Sequence, residues 1–286
     1  MLKLLSGEVA PCALLLGGFD GLHIGHSVLL KAAKETGLPV GATLLTGNKA
    51  GGNVFTFEER EGIFSRAGVS FVLELPFTEE LKNTSAQDFL KNLFSQVEAK
   101  AVFCGEDFRF GRHALGTPEL VKELAPCPVR VLPLQTENGK KIATSQIKEL
   151  LAVGDIRGAN RLLLEPYFIR GRVEHGRKTG RTYGFPTINL TYPAEKFPIK
   201  EGVYGGSART PFGTFPALIH FGECPTFGVT YKKVEAYLKG FEGDLYEKTV
   251  EICPARYLRP VQKFAGREAL EAQLERDMAY LQEEEA

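Results

Sequence analysis

The feature that most constrains the fold is the alternation of short apolar runs with helix-like segments from the N-terminus to about residue 160. The helix-like segments have recognisable starts: Thr56 and Glu59 have capping-box spacing, Ser85 is an N-cap residue, and Thr117 precedes Pro118. Strand–helix alternation at this pace is typical of βαβ units, so the sequence predicts a parallel sheet with helices on both faces. The predicted strands are 14–19, 40–45, 71–75, 101–104 and 129–134, with the first helix at 26–35.

A different pattern begins after about residue 165. Glycine and aromatic residues become dense, helical periodicity disappears, and short alternating runs predict an all-β domain, in the form of a small barrel. The chain then ends in a predicted helix at 267–281, whose apolar face, formed by Leu270, Leu274, Met278 and Leu281, could pack against the barrel. The predicted strands of the barrel are 167–173, 187–190, 202–208, 217–221, 234–238 and 249–252.

The length and composition fit two soluble domains. For 286 residues, at about 100 to 200 residues per domain, we expect an α/β domain over 1–160 and a β-barrel domain over 161–286. Lys and Arg total 35 and Asp and Glu total 35, so the formal net charge is zero. Because no protein-wide field would attract polyanions, we expect small-molecule substrates and neither nucleic acid nor membrane as partners.

The cysteines and the N-terminus indicate the cellular compartment in which the protein is found. The five cysteines are far apart and mostly lie in apolar runs, which is typical of reduced thiols and not of a disulfide framework or a CxxC metal site. The apolar part of the first residues is too short for a signal peptide, and no apolar run is long enough to span a bilayer. We therefore expect a cytoplasmic protein.

The first candidate site is the stretch GGFDGLHIGH, residues 17–26, which follows a predicted strand. At the carboxyl end of a parallel strand, a helix N-terminus offers free N–H groups and a positive dipole to an anion. The glycines allow the backbone to approach phosphate closely, and His23 and His26 add side-chain donors that could stabilise a departing pyrophosphate. The candidate nucleotide-binding residues of this loop are Gly17, Phe19, Asp20 and Gly25.

Two other interpretations of the histidines are weaker. A zinc site is disfavoured because the HxxH spacing lacks the glutamate of HExxH and no third ligand is near in sequence. A purely structural role, with histidines that cap a helix and glycines that make a turn, would be favoured for a single histidine. Two histidines and four glycines at one strand end weaken that interpretation.

The letters of this stretch also carry a resemblance. His23-Ile24-Gly25-His26 resembles the HxGH signature of the nucleotidyltransferase superfamily and spells the HIGH motif of class I aminoacyl-tRNA synthetases, although the chain is short for a synthetase and has no KMSKS-like loop. Together with GEDFRFG at 105–111, the stretch GxFDGxHxGH is similar to the adenylyltransferase half of the bacterial bifunctional riboflavin kinase/FAD synthetase family. The resemblance implies that the histidines contact ATP phosphates and that Asp107 and Phe108 lie in the flavin or nucleotide pocket.

Two segments depart from that family pattern. The family has a motif like ISSTRIR after the last strand, where this chain has IATSQIK at 142–148. Thr144 and Ser145 keep hydroxyls for the triphosphate, but Gln146 and Lys148 replace two arginines, and lysine lacks the bidentate fork of arginine. The family's Phe-x-Pro-His-Pro segment is also replaced, by TGNKAGGNV at 46–54.

The second candidate site is the stretch GRVEHGRKTGRTYGFPTINL at 171–190. Glycines with arginines and a lysine between them make a flexible basic loop that can wrap phosphate, although the charges alone would fit a solvated hairpin. Period-two alternation puts Thr187 and Asn189 on one strand face, and their oxygens suit Mg²⁺, which bridges nucleotide phosphates. The candidate residues of this segment are Gly171, Gly176, Gly180, Arg181, Thr187 and Asn189, the last two as metal ligands.

The stretch also resembles a known fingerprint. GxVxxGxxxGRxxGFPTxN is similar to the riboflavin kinase signature, in which the Thr and Asn of PTxN serve the Mg-ATP site. FGECPTFG at 221–228, VEAYL at 234–238 and FEGDLY at 241–246 resemble further motifs of that family, in order. The resemblance implies that Glu235 is the general base for the riboflavin 5′-hydroxyl. Aromatic candidates to enclose the flavin ring are Phe185, Phe227 and Tyr246.

The sequence thus predicts an enzyme that converts riboflavin and ATP to FMN in the barrel, and FMN and ATP to FAD and pyrophosphate in the α/β domain. One alternative keeps the kinase and treats the first domain as a degenerate adenylyltransferase. The other is a flavin-binding regulatory protein without catalysis, against which the Thr187, Asn189 and Glu235 combination argues.

Overall fold

The computed structural model divides into two compact units, one comprising Met1–Gln146 and Leu162–Glu165, the other Ile147–Arg161 and Pro166–Ala286. No helix in the part of the chain that is described is long and apolar enough to cross a bilayer. The structure describes residues 3–6, 11–47, 51–133, 135–137, 139–175, 185–226, 229–262, 264 and 267–283.

The first unit is built on a six-stranded sheet in the order β1-β4-β3-β2-β5-β6. The strands from β4 to β6 pair in parallel, and β1 adds an antiparallel edge to β4. The α/β architecture predicted from the alternation is confirmed. The elements are β1 Lys3–Ser6, β2 Cys12–Leu15, α1 Ile24–Lys34, β3 Val40–Thr46, α2 Phe57–Arg66, β4 Phe71–Pro76, α3 Glu79–Asn83, α4 Ala86–Gln96, β5 Ala99–Gly105, α5 Pro118–Leu124 and β6 Val129–Leu132.

Helix starts in this unit follow the predicted capping residues. Thr56 accepts a hydrogen bond from Glu59 N–H at 3.2 Å, and the Glu59 carboxylate accepts from Thr56 N–H at 2.8 Å, so the capping box is confirmed. Ser85 caps α4, and Thr117 caps α5 with Pro118 in its first turn. The central strand β2 is fully buried, and apolar side chains such as Leu14, Leu93 and Val102 belong to one core on its flank.

The predicted strand at 14–19 is too long. The strand β2 ends at Leu15, and the chain then turns away, with Phe19 at a φ of 48° and Leu22 at 37°. An apolar run does not reveal where backbone pairing stops, because Leu16 and Phe19 are buried without belonging to a strand. Helix α1 starts at Ile24, so His23 is its N-cap residue and His26 lies in the first turn.

A short hairpin and two helices follow the sheet. The hairpin consists of β7 Thr136–Glu137 and β8 Lys140–Lys141, and a 3₁₀ turn lies earlier, at Arg112–Ala114. The helices are α6 Thr144–Val153 and α7 Ile156–Leu162.

The second unit is a nearly closed antiparallel barrel with strand order β10-β13-β12-β11-β14-β9. Closure comes from a bridge just beyond β9, where Glu174 N–H donates to the Asn189 carbonyl at 2.8 Å. The barrel and the C-terminal helix are as predicted. The elements are β9 Ile169–Arg172, β10 Thr187–Thr191, β11 Gly202–Thr210, β12 Gly213–Thr226, β13 Val229–Leu238, β14 Thr249–Arg259 and α8 Arg267–Glu283.

Helix α8 covers one face of the barrel. Leu274 and Met278 pack against the buried Val203 and Leu218, which confirms this part of the predicted apolar face. The side chains of Leu270 and Leu281, predicted on the same face, lie outside the described residues. The buried Asp277 carboxylate accepts hydrogen bonds from the Arg259 guanidinium at 3.2, 3.0 and 2.7 Å, so an ion pair also attaches the helix.

Candidate functional site

The glycine-rich loop of the first unit lies at the carboxyl end of β2, the strand whose neighbours are β3 and β5. The chain proceeds from β2 to one side of the sheet and returns to the other side with β5, so the loop is at the topological switch point. In open parallel sheets, ligands bind at this crevice. The fold therefore places the predicted loop where a nucleotide site is expected.

Two buried side chains from neighbouring elements hold the start of the loop. The Thr43 hydroxyl on β3 accepts a hydrogen bond from Gly17 N–H at 3.2 Å and donates to the Gly17 carbonyl at 3.1 Å. The Arg60 guanidinium on α2 donates to the carbonyls of Gly18 at 3.3 Å and Leu45 at 2.9 Å. Sequence reasoning missed both residues, because nothing local indicates that side chains 26 and 42 positions away would fix this backbone.

The middle of the loop is fixed by Asp20. Its carboxylate is buried and accepts a hydrogen bond from Val54 N–H at 3.1 Å, which ties the loop to the segment before α2. Close contact also shapes the loop at Gly17, where an added Cβ would lie 2.7 Å from the Phe19 ring. Asp20 thus acts on the backbone, which is a structural contribution beyond the nucleotide contact expected of it.

The two histidines form a stacked pair at the start of α1. Their ring centroids are 3.7 Å apart with an angle of 18° between the rings, and Phe19 packs edge-on against His26 with centroids 4.9 Å apart. The backbone N–H of His23 donates to the ring atom Nδ1 of His26 at 3.2 Å. Because Nδ1 of His26 accepts, the neutral ring carries its hydrogen on Nε2 and can donate a hydrogen bond from that atom.

Burial keeps both imidazoles neutral. Desolvation lowers the pKa of His23 to about 4, with a raising contribution from Asp107 and a lowering one from Lys141. Desolvation, followed by the nearby charge of His23, lowers the pKa of His26 well below its ordinary value. Among the described residues no group hydrogen-bonds the buried Nδ1 of His23. A buried polar atom in this state is costly unless a ligand satisfies it, so the pair fits a hydrogen-bonding anion such as phosphate.

A cleft of about 460 Å³ is lined by most of the candidate residues of the first unit. It is also lined by Arg109, which the sequence suggests as a substitute cation for the missing arginines, and by Gln135 and Lys141, which the sequence interpretation did not assign. Ser145 is not among the described residues that line the cleft. The candidates that do line it are Gly17, Phe19, Asp20, His23, Gly25, His26, Asp107, Phe108 and Thr144.

Two helix N-termini meet at this cleft. Helix α1 begins beside His23, and α6 begins at Thr144, so both helices present first-turn N–H groups to the same space. A helix N-terminus carries a partial positive charge that favours anions. The cleft therefore offers neutral donors and two dipoles to a polyphosphate.

The fixed charges at the cleft are partly paired. The ammonium of Lys141, on β8, forms an ion pair with the Asp107 carboxylate, which follows β5. The Arg109 guanidinium donates to the carbonyl oxygens of Phe108 at 2.8 Å and Glu106 at 3.4 Å. Gln146 and Lys148, at the positions of the family's arginines, are not among the described residues that line the cleft.

The second unit brings Asn189 and Glu235 together. They lie directly opposite each other on the antiparallel strands β10 and β13, where Cβ atoms are about 5 Å apart. Thr187 lies two positions before Asn189, hence on the same face of β10, and pairs with Tyr237. A Thr, an Asn and a carboxylate therefore share one face across two strands.

A histidine that sequence analysis did not single out continues this row. His220 on β12 lies opposite Glu235 on the other side of β13. Burial lowers the pKa of His220, with a raising contribution from Glu235, so the imidazole favours the neutral form near the carboxylate. Its position follows from strand register, which a single sequence does not reveal.

A small pocket of about 80 Å³ lies at the start of this row. Thr187, Pro186, Phe241 and Tyr246 are among its lining residues. Of the predicted aromatic candidates, Tyr246 stacks on His175 with centroids 3.9 Å apart, and Phe185 meets Tyr237 edge-on at 5.3 Å. Phe227 lies outside the described residues.

The basic glycine loop is mostly beyond what the structure describes. Gly176, Gly180 and Arg181 lie outside the described residues, so their predicted roles stay predictions. Gly171 lies on β9, where an added Cβ would be 2.9 Å from Cδ2 of Leu190. Position 171 thus has no room for a side chain, because β9 packs closely against Leu190 of β10.

The donor set at Thr187 and Asn189 fits a hard cation. In the part of the chain that is described, no group of three or more His, Cys, Asp or Glu side chains could hold a metal ion. Mg²⁺ differs from metals that need such a cluster, because it keeps several waters and binds through one or two protein oxygens plus substrate phosphates. The buried Asn189 amide next to Glu235 is compatible with that mode.

A parallel sheet with a stacked histidine pair at its switch point, followed by a barrel that carries a carboxylate next to Thr and Asn, is the architecture of a two-domain nucleotide-dependent transferase. Comparison with known families agrees: the FAD synthetase model matches residues 6–146 and the riboflavin kinase model matches residues 163–284. The chain belongs to the bifunctional riboflavin kinase/FMN adenylyltransferase family.

Curated relatives of that description match nearly the full length. The protein of Escherichia coli strain K12 is 31% identical over 93% of this chain and 90% of its own. The protein of Bacillus subtilis strain 168 is 30% identical over 96% of this chain and 92% of its own.

A solved structure also resembles this one. A crystal structure described as that of a macrolide-efflux protein from Streptococcus pneumoniae matches with a TM-score of 0.85 and 26% identity. The match covers 97% of this chain and 95% of the other.

Proposed function

We propose that this protein makes flavin cofactors in two steps, phosphorylation of riboflavin to FMN in the barrel and adenylylation of FMN to FAD in the α/β unit. The observation that carries the proposal is that each segment matched by a family model contains its own candidate site. The substrates are ATP, riboflavin and FMN.

In the adenylylation step, a phosphate oxygen of FMN attacks the α-phosphorus of ATP and pyrophosphate leaves. Phosphate oxygens accept hydrogen bonds from the ring N–H groups of His23 and His26. They also accept from the backbone N–H groups at the helix starts, Ile24 and Thr144. Because the histidines are neutral, they contribute hydrogen bonds and no net charge, and they position the phosphates without trapping the pyrophosphate product. Gly17 and Gly25 allow the close approach of the phosphates.

In the phosphorylation step, the riboflavin 5′-oxygen attacks the γ-phosphorus of ATP and ADP leaves. Glu235 takes the hydroxyl proton as the new P–O bond forms. Thr187 and Asn189 would hold Mg²⁺, which supplies neutralisation of phosphate charge when it is bound. Tyr246, at the small pocket, is a candidate contact for the flavin ring.

We infer a cytoplasmic location and no nucleic-acid or membrane partner. The support is chemical: the cysteines whose side chains are described, Cys12, Cys104, Cys127 and Cys253, are free thiols. Burial raises the pKa of Cys12 and of Cys104 to about 11, so neither is a reactive thiolate at neutral pH. Free thiols are typical of a reducing compartment.

Two variants test the assignment of the two sites. Glu235→Gln should reduce FMN formation from riboflavin by about 100-fold or more, the scale of a lost general base, while FAD formation from supplied FMN continues. His23→Ala should show the reverse, and because no described protein group bonds His23 Nδ1, the fold should survive. Loss of both activities in either variant would contradict independent sites. A wild-type protein that makes FMN but no FAD would favour the alternative, a kinase with a degenerate adenylyltransferase domain.

A further inference from the structure

The adenylylation cleft needs a cation for the outer phosphates of ATP, and its most obvious donors do not supply one. His23 and His26 are neutral, and the lining carboxylates Asp20 and Asp107 repel phosphate. Arg109 lines the cleft but donates to carbonyl oxygens of its own loop. A triphosphate carries several negative charges that dipoles alone neutralise only in part.

We propose that Lys141 is the side chain that binds the outer phosphates of ATP, and that Asp107 holds its ammonium in place until the nucleotide arrives. The inference rests on the proposed adenylyltransferase function and deepens it. It assigns to Lys141 the task that the family's arginines perform at positions 146 and 148.

The position of Lys141 supports this role. It is the last residue of β8 and lies three residues before Thr144, where α6 opens onto the cleft. The next residue is fixed, because Ile142 N–H donates to the Gln135 carbonyl at 3.0 Å. Lys141, Asp107 and the two histidines all line the same cleft.

The ion pair with Asp107 is suited to exchange. The side chains of Lys141 and Asp107 are 44% and 46% exposed, and such exposed pairs contribute little to stability because water and salt screen them. A phosphate that enters the cleft offers the ammonium more negative charge and more acceptor oxygens than one carboxylate does. The lysine can therefore change partners at low cost.

The alternative cation, Lys148, has a different environment. Its ammonium lies over the Phe197 ring at 5.7 Å from the ring centre, and it is not among the described residues that line the cleft. Lys148 thus provides a matched control for Lys141, since one lysine lies just before α6 and the other lies in its second turn.

The test compares Lys141→Met with Lys148→Met in the full chain, measuring kcat and KM for ATP in FAD formation at saturating FMN. The inference predicts that Lys141→Met raises KM for ATP tenfold or more, that Lys141→Arg restores most of it, and that Lys148→Met stays within twofold. AMP, used as a competitive inhibitor, should bind Lys141→Met as well as wild type, because it lacks the outer phosphates. Riboflavin kinase activity should be unchanged in all three variants.

Several outcomes would overturn the inference. If Lys148→Met raises KM and Lys141→Met does not, the family position supplies the cation. If Lys141→Met weakens the binding of AMP and ATP equally, the ion pair has only a structural role. The same conclusion follows if Asp107→Asn raises KM for ATP as much as Lys141→Met does and the double variant shows no further increase. The inference expects Asp107→Asn to lower KM for ATP, since it frees the ammonium.

Failure of the proposed function looks different. A wild-type protein that forms no FAD from FMN and ATP contradicts the adenylyltransferase assignment itself. In that case, calorimetric titration with ATP still shows whether Lys141 binds the nucleotide. The inference predicts that one of two ATP sites weakens in Lys141→Met, and two unchanged sites would contradict it.

Discussion

At the scale of single residues, the orientation of His23 depends on the absence of a side chain at Gly25. A Cβ there would lie 2.8 Å from Nδ1 and 3.0 Å from Cε1 of the imidazole. Both atoms belong to a ring that stacks on His26, so the ring cannot move aside without breaking that contact. The glycine of the HxGH pattern is thus explained by space for the histidine.

We predict that Gly25→Ala lowers the rate of FAD formation by about 10- to 100-fold, because a small misplacement of a positioning group has effects of this size. Riboflavin kinase activity should not change. Gly62→Ala is the matched control: Gly62 lies inside α2, and its Cβ would meet the flexible end of Arg66 at 3.3 Å. The test is to measure the rates of both reactions for the two variants. Equal rates of FAD formation in Gly25→Ala and wild type would refute the packing argument.

The pKa of His23 predicts a pH dependence of stability. The folded pKa is about 4 and the ordinary value is 6.5, so below pH 6.5 the unfolded chain binds the proton and the folded chain does not. The stabilisation is complete above pH 6.5 and is lost as the pH falls toward 4, by about 2 kcal/mol at pH 5 from this group. Urea unfolding at pH 7 and pH 5 should show a smaller pH-dependent loss in His23→Ala than in wild type. An identical loss in both proteins would mean that His23 does not titrate as described.

At the scale of elements, α2 supports the glycine loop from below. Arg60 is 1% exposed and donates to two carbonyls, one in the loop and one at the end of β3. Arg60→Met should cost about 1 to 3 kcal/mol of stability, because two partly buried carbonyls lose their donor, and it should also slow FAD formation.

The same helix provides the control for this prediction. The Arg66 guanidinium pairs with Glu165 at 2.8 Å, but its side chain is 42% exposed, so Arg66→Met should cost at most about 1 kcal/mol. Unfolding midpoints and FAD-forming rates of both variants test the difference. If Arg66→Met is the more damaging substitution, the support attributed to Arg60 is wrong.

Elements were the most predictable level. The α/β order, the capping residues at Thr56, Ser85 and Thr117, the barrel and the C-terminal helix followed from local patterns, because caps and periodicity are properties of neighbouring residues. The ends of strands were less predictable, as β2 shows.

Contacts that depend on strand register or on distant residues were not predictable. Examples are His220 beside Glu235, Arg60 bonded to the glycine loop, and Lys141 paired with Asp107.

At the level of the whole molecule, each of the two units contains a candidate site, and the two candidate sites differ in their chemistry. One site has neutral donors and helix dipoles, which suit adenylyl transfer without a protein base. The other has a carboxylate opposite an asparagine, which suits activation of a hydroxyl. We propose that both sites are active in this chain although Gln146 and Lys148 stand at the positions of the family's arginines.

The most direct measurement is a time course of the purified protein with riboflavin, ATP and Mg²⁺, with riboflavin, FMN and FAD separated by chromatography. We predict that FMN appears first and FAD follows with a lag, and that supplied FMN removes the lag. FMN that accumulates without FAD, even when FMN is the starting substrate, would contradict the claim for the α/β unit. Absence of both products would contradict it for the whole protein.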